Sequence, residues 1–159
     1  MEGRPRVLVV DDEPAVRELL RRVNNYFGFE TTEAENGEDG WILYQEIKPT
    51  LTISDIYMPK MNGMQLLSSI KKSDKTAKVI LMTGYVRFRA MLETCTYPPD
   101  GFLQKPFDIE EVGHMMQAFL AEPKSEHDPQ VRNQPDDKVD SPGTIRESPL
   151  PVQEPEHDG

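Results

Sequence analysis

The chain has a single cysteine, Cys95, among 159 residues. No internal disulfide is therefore possible, and a reducing, cytoplasmic setting is the simpler expectation. It has no apolar run near the ~18 residues that a membrane span needs. Met1-Glu-Gly-Arg-Pro5 leads straight into four apolar residues, Val7 to Val10, too short a stretch for the core of a signal peptide. Basic residues are in deficit, 18 against 28 acidic, for a net charge of −10. Such a balance is poorly suited to gripping a nucleic-acid backbone. Gly-x-Gly-x-x-Gly, the P-loop pattern and Gly-x-Ser-x-Gly are all absent, so the usual dinucleotide, nucleotide and hydrolase signatures are missing.

Aromatic residues are also lacking from Pro123 to Gly159, a stretch that holds seven of the fourteen prolines. Nine acidic residues against Lys124, Arg132, Lys138 and Arg146 give this segment a net charge of −5. It has too little apolar surface to offset its ordering entropy. The expected organisation is one domain, residues 1–122, and an acidic, Pro-rich disordered tail, residues 123–159. No helical pattern follows Leu120 to supply a DNA-recognition helix, so direct DNA binding is not expected, nor is membrane association.

What remains is an alternation of short apolar runs and helical patterns, repeated five times. That alternation predicts an α/β domain, a doubly wound parallel sheet. Val16, Leu19, Leu20, Val23 and Phe27 form one helical stripe, started by Pro14 and ended by Gly28. Phe29 to Ala34 reads as an edge strand. Asn36-Gly37 opens a second helix through Ile47, and Asn62 caps a third whose buried face is Leu66, Leu67 and Ile70. A fourth helix is expected near Val86 to Glu93, before the loop Thr96-Tyr-Pro-Pro99. Asp108 and Glu111 cap a fifth, which carries Ile109, Val112, Met116 and Phe119.

Polar residues stand where the apolar runs stop: Asp11-Asp12, Asp55, Thr83 and Lys105. In a parallel sheet these ends emerge at one edge, and a strand order of 2-1-3-4-5 leaves a crevice between strands 1 and 3. Three carboxylates brought together there repel one another unless a cation intervenes. Mg²⁺ takes oxygen ligands, usually one or two carboxylates plus a phosphate oxygen. Asp12 and Asp55 can bind it directly, Asp11 through water, with a main-chain carbonyl just after Asp55. Asp55 is the candidate nucleophile, since a carboxylate can form an acyl phosphate. Lys105 offers a point charge to a phosphoryl oxygen, and Thr83 a hydroxyl. Each residue also has a plainer reading: Asp11-Asp12 as a helix cap, Asp55 as a turn before Pro59, Lys105 as a solvated lysine and Thr83 as a turn cap.

Val9-Val-Asp-Asp-Glu13, Ser54-Asp-Ile-Tyr-Met-Pro59, Met82-Thr-Gly84 and Phe102-Leu-Gln-Lys-Pro-Phe107 together resemble the receiver domain of two-component response regulators, over about residues 5 to 121. The likeness is to a stand-alone receiver, similar to the chemotaxis response regulator, with a flavodoxin-like (βα)5 fold. The resemblance implies that Asp55 accepts a phosphoryl group from a sensor histidine kinase or phosphotransfer protein. It implies that Asp11 and Asp12 hold Mg²⁺ with the backbone carbonyl of Tyr57, and that Lys105 contacts the phosphoryl group and precedes a cis bond to Pro106. Thr83 and Phe102 would form a switch pair acting on helix 4, strand 5 and helix 5, toward a protein effector still to be identified. The molecule would be a monomer or a phosphorylation-dependent dimer, and no enzyme beyond assisting its own phosphorylation and dephosphorylation.

The switch has a physical basis: a Thr83 hydroxyl drawn inward vacates space for the Phe102 ring. Burying such a ring stabilises by roughly 1.5 to 3 kcal/mol, which moves a two-state equilibrium by about one to two decades. Phe102 is also read as ordinary core packing, and the two readings are compatible. Thr94-Cys-Thr-Tyr-Pro-Pro99 departs from the small-residue turn of the family and leaves the extent of helix 4 open. Tyr57 and Tyr85, each two residues past a site residue, are expected to shield an aspartyl phosphate from water. Two other functions fit the chain less well. A phosphorylation-independent interaction module has no need of the full residue set, and an aspartyl phosphatase would place Asp-x-Asp after the first strand. His114, His127 and His157 lack the spacing of a metal site.

Overall fold

The Val7–Val10 and Val79–Met82 runs alternate their side chains between two faces, and both faces are apolar, as suits the middle of a parallel sheet covered by helices on both sides. The computed structural model describes residues 3–121. It contains β1 (Arg6–Val10), α1 (Pro14–Tyr26), β2 (Glu30–Ala34), α2 (Gly37–Ile47), β3 (Leu51–Asp55), α3 (Gly63–Ser73), β4 (Val79–Thr83), α4 (Phe88–Leu92), β5 (Gly101–Gln104) and α5 (Ile109–Ala121). The strands form one parallel sheet in the order β2-β1-β3-β4-β5, as expected. The expected tail, residues 123–159, and its boundary at 122 lie outside the described residues.

Alternation divides the core in two. Val7, Val9, Leu51, Ile53, Ile80 and Met82 face α1 and α5, meeting Leu20, Val23, Val112 and Met116. Leu8, Val10, Val79 and Leu81 face the other way, against Tyr44, Leu66, Leu67, Ile70 and Leu92. No described helix is long and apolar enough to cross a membrane.

The caps follow the local chemistry. Asn36 accepts from the Asp39 N–H, Asn62 and Gln65 form a reciprocal capping box, and Asp108 and Glu111 form another. These pairs satisfy N–H groups that the first helical turn leaves open. Pro14 begins α1, and Gly28, at φ 84°, turns the chain out of it, a conformation that costs glycine little.

Of the apolar residues expected along α5, Val112 and Met116 are buried, whereas Ile109, the first residue of the helix, is 62% exposed. One expectation needs correction: helix 4 is shorter than residues 86–93. It spans five residues with one buried side chain, Leu92, and no side-chain cap. It ends in i→i−3 bonds from Thr94 to Met91 and from Cys95 to Leu92, as a segment with so little apolar periodicity would.

A part-buried ion pair escaped the sequence reading. Lys71 at the end of α3 donates to Asp100 Oδ2 at 2.7 Å and to the Ala77 carbonyl at 2.6 Å. Asp100 Oδ2 also accepts the Val79 N–H at 2.8 Å, which ties α3 to the entries of β4 and β5.

Candidate functional site

The carboxyl ends of β1, β3, β4 and β5 bring Asp11, Asp55, Thr83 and Lys105 to one edge, because register aligns the strand ends. Val10 pairs with Ser54, Asp55 with Met82, and Thr83 with Gln104. Carboxylate oxygens of Asp11, Asp12 and Asp55 lie within 4.8 Å of one another. Asp11 and Asp55 are buried and Asp12 is exposed. A cluster of this kind offers a hard divalent cation the oxygen donors it prefers.

Lys105 closes the cluster. Its Nζ donates to Asp11 Oδ2 at 2.8 Å and lies 3.3 Å from Glu13 Oε1 and 3.5 Å from Asp55 Oδ2. The peptide bond from Lys105 to Pro106 is cis, as the resemblance implied. Asp11 is engaged on both oxygens, since Oδ1 accepts the Glu13 N–H at 2.9 Å. Asp55 Oδ1 accepts the Ile56 N–H at 3.0 Å, which leaves Oδ2 the less encumbered oxygen.

Charge crowding shows in the proton affinities. Burial first, and then the Asp11 charge, push the Asp55 carboxyl up to about 6, against the pull of Lys105 and the Ile56 N–H. Burial also raises Asp11, although Lys105 and the Glu13 N–H oppose it. For Lys105 burial acts downward, but the hydrogen bond to Asp11 and the three surrounding carboxylates outweigh it, and the ammonium is held more firmly charged.

Thr83 is buried, and its hydroxyl accepts the Tyr85 N–H at 3.2 Å. Phe102 pairs in register with Leu81, one diagonal step from Thr83 on the same face of the sheet, within reach of an aromatic side chain. The ring is partly buried against the core on the α2–α3 side. The Tyr57 and Tyr85 rings, 50% and 64% exposed, meet edge to face at 5.1 Å. His114, on α5, stands apart from the Asp11, Asp12, Asp55 group.

The match to the response regulator receiver domain model covers residues 7–117. The chain belongs to that family. Receiver domains are the signalling switches of two-component systems, take phosphoryl groups from histidine kinases or phosphotransfer proteins, and bind Mg²⁺ at an acidic pocket. Among similar proteins, the regulatory protein AtoC of Escherichia coli is 35% identical over 115 residues, 72% of this chain and 25% of that one. The sporulation initiation phosphotransferase F of Bacillus subtilis is 31% identical over 115 residues, 72% of this chain and 93% of that one. The crystal structure of the response regulator TrrA from Thermotoga maritima, in complex with Mg(2+)-BeF, superposes with a TM-score of 0.66 at 35% identity. That match covers 72% of this chain and 98% of TrrA. The chain spans a quarter of AtoC and about half the length of several other curated relatives it matches.

The structure adds supporting residues that the sequence did not disclose. Arg17 donates to the Asp11 carbonyl at 2.8 Å and pairs with Glu35 at 3.4 Å, steadying the metal-side loop from α1. Gly63 packs so close to β3 that a Cβ there would overlap the Asp55 carbonyl oxygen. Glu13 stands in the quoted motif, but only the fold brings it to Lys105, 92 residues away. None of these contacts leaves a periodic or local signal.

Proposed function

We propose that this chain is a cytoplasmic, phosphorylation-activated switch that accepts a phosphoryl group on Asp55 from a histidine kinase or phosphotransfer protein. Partner affinity then changes through the α4–β5–α5 face. The reading rests above all on one observation: a buried carboxylate, Asp55, lies 3.5 Å from a lysine ammonium and within 4.8 Å of two further carboxylates.

In the transfer, an Asp55 carboxylate oxygen bonds to phosphorus as the phosphorus–nitrogen bond of the donor phosphohistidine breaks. The imidazole keeps that electron pair and regains a proton from solvent, and Asp55 becomes an acyl phosphate. With its carboxyl held near 6, Asp55 is ionised at neutral pH and able to attack. Lys105 faces the reacting oxygen and meets the phosphoryl charge as a point cation. Asp12, Asp55, the main-chain carbonyl of Tyr57 and, through water, Asp11 would hold Mg²⁺, which when bound offsets charge on the phosphoryl oxygens. The water-mediated role suits Asp11, whose two oxygens already have partners.

Thr83 then turns its hydroxyl toward the new phosphoryl oxygens, and the Phe102 ring moves into the space beside it. Phe102 has no hydroxyl to satisfy on burial, so its inward state carries no unpaired polar group. Intact-mass measurement after acetyl phosphate and Mg²⁺ tests the reading. One phosphoryl mass should appear on the parent chain and none on Asp55→Asn, and beryllofluoride should shift resonances around Thr83 and Phe102. A parent chain that stays unmodified, or an equal gain in the variant, overturns it.

A further inference from the structure

Three aromatic rings from three separate segments meet outside the site. Tyr57 follows β3, Tyr85 follows β4, and Phe88 is the first residue of α4. Tyr57 stands edge-on to Tyr85 at 5.1 Å and 67°, and to Phe88 at 5.3 Å and 83°. The two tyrosines are largely exposed. Phe88 is partly buried and packs on the core of the α2–α3 side, so it is the member of the trio rooted in the protein.

Two connections tie this cluster to the chemistry. Tyr57 is two residues beyond Asp55 and carries the carbonyl assigned above to the metal. Tyr85 donates its N–H to the Thr83 hydroxyl. A displacement of either ring is thus passed through at most two residues to a group that faces the phosphoryl position. On the other side, α4 is five residues long, with one buried side chain and no side-chain cap. An element with so few anchors shifts readily when one of them changes.

We propose that Phe88 is a positioning residue for the phosphoryl chemistry. From α4 it holds the Tyr57–Tyr85 pair as a cover that keeps water from the Asp55 phosphoryl group, so that the cover and α4 move as one unit. The inference rests on Asp55 being the phosphoacceptor and adds how that state is timed. In hydrolysis a water oxygen bonds to phosphorus as the acyl oxygen–phosphorus bond breaks. The electron pair returns to the Asp55 carboxylate, and the water's protons leave with phosphate and solvent. The cover sets how often water has a path to phosphorus. A partner that draws Phe88 away opens the path for water and shortens the signal. Phosphorylation, by moving Thr83 and Tyr85, repositions Phe88 and so changes that partner's affinity, and for these binding equilibria the coupling is reciprocal.

The test uses the full chain, charged with acetyl phosphate and Mg²⁺ and then freed of donor, with phosphoryl mass followed over time. Phe88→Ala should shorten the half-life by about threefold to tenfold, the range expected for losing an edge-to-face ring contact. Phe88→Tyr should restore the parent half-life. Phe88→Leu keeps apolar bulk without a ring and should also shorten the half-life, which covers the case in which alanine loosens the fold. Tyr57→Leu should shorten it too, and adding Phe88→Ala should bring no further change, because both act through one contact. The rate of labelling by acetyl phosphate should fall less than the half-life does in Phe88→Ala, which separates loss of a cover from damage to the site. A half-life unchanged in both Phe88→Ala and Phe88→Leu, or effects of Tyr57→Leu and Phe88→Ala that multiply, overturns the proposal. A parent chain that takes no phosphoryl group fails earlier in the same experiment and overturns the Asp55 assignment itself.

Discussion

Replacing Asp55 with asparagine should make the metal-free protein more stable at neutral pH, although it removes the proposed reactive group. The Asp55 carboxyl sits near 6 in the fold and near 3.9 in an unfolded chain. Between these values the folded protein binds more protons than the unfolded one, so its stability falls as pH rises. The stabilisation from protonated Asp55 is complete below about pH 4 and is lost once pH passes about 6. A difference of about two pKa units corresponds to about 3 kcal/mol, and the Asp55 side chain, 8% exposed, is little screened by solvent. Asparagine mimics the protonated carboxyl in size and charge, so at pH 7.5 in EDTA the variant should gain about 2 to 3 kcal/mol, or roughly 6–12 °C in Tm. The gain should shrink steadily toward pH 4. Millimolar Mg²⁺ should narrow it, because the cation stabilises the parent chain by mass action more than the variant. Urea unfolding of both chains across pH 4 to 8 provides the measurement. No gain at pH 7.5, or an equal gain at pH 4, refutes the picture of a crowded, charge-strained carboxylate.

Other perturbations follow from the same contacts. Asp100→Ala leaves the Lys71 ammonium, whose side chain is 9% exposed, with the Ala77 carbonyl but without the Asp100 carboxylate, and should cost about 1–3 kcal/mol, read as a lower urea midpoint with an unchanged slope. Gly63→Ala drives a methyl group against the Asp55 carbonyl. It should destabilise by about 1–3 kcal/mol and slow acetyl-phosphate labelling more than a matched Ser68→Ala control at a half-buried position of α3. Labelling of the parent chain at low Mg²⁺ should fall as pH drops through about 6, since the attacking form is the carboxylate, and a flat rate from pH 5 to 7.5 would contradict this.

What could be read beforehand was whatever the chain encodes locally. Apolar runs of four or five residues named the strands, and their polar terminators named Asp11, Asp12, Asp55, Thr83 and Lys105, because a parallel sheet leaves those ends at one edge. Asn62 and Asp108 were legible as caps and Asn36-Gly37 as a helix start, since a cap is satisfied by residues two or three positions away. Contacts that span the chain were not legible. Lys105 meets Asp11 across 94 residues, Lys71 meets Asp100 across 29, and Phe88 meets Tyr57 from an element with almost no apolar period.

The same crowding that makes the site costly suits it to the switching proposed above. Asp11, Asp12 and Asp55 meet at a buried edge where their mutual repulsion is only partly offset by Lys105, so any ligand that brings positive charge there gains more than it would on an open surface. A phosphoryl group does the reverse: it adds negative charge, and the fold must answer by moving donors toward it. Lys105 is already in place, held by three carboxylates at 2.8, 3.3 and 3.5 Å. Thr83 is a further buried hydroxyl at the same sheet edge, and it accepts the Tyr85 N–H. On the proposed reading, a response to phosphorylation passes through Tyr85 and its ring partners toward α4, the described helix with the fewest buried anchors. The direction proposed for the signal rests on where the Thr83 hydroxyl sits and on how loosely the next element is held.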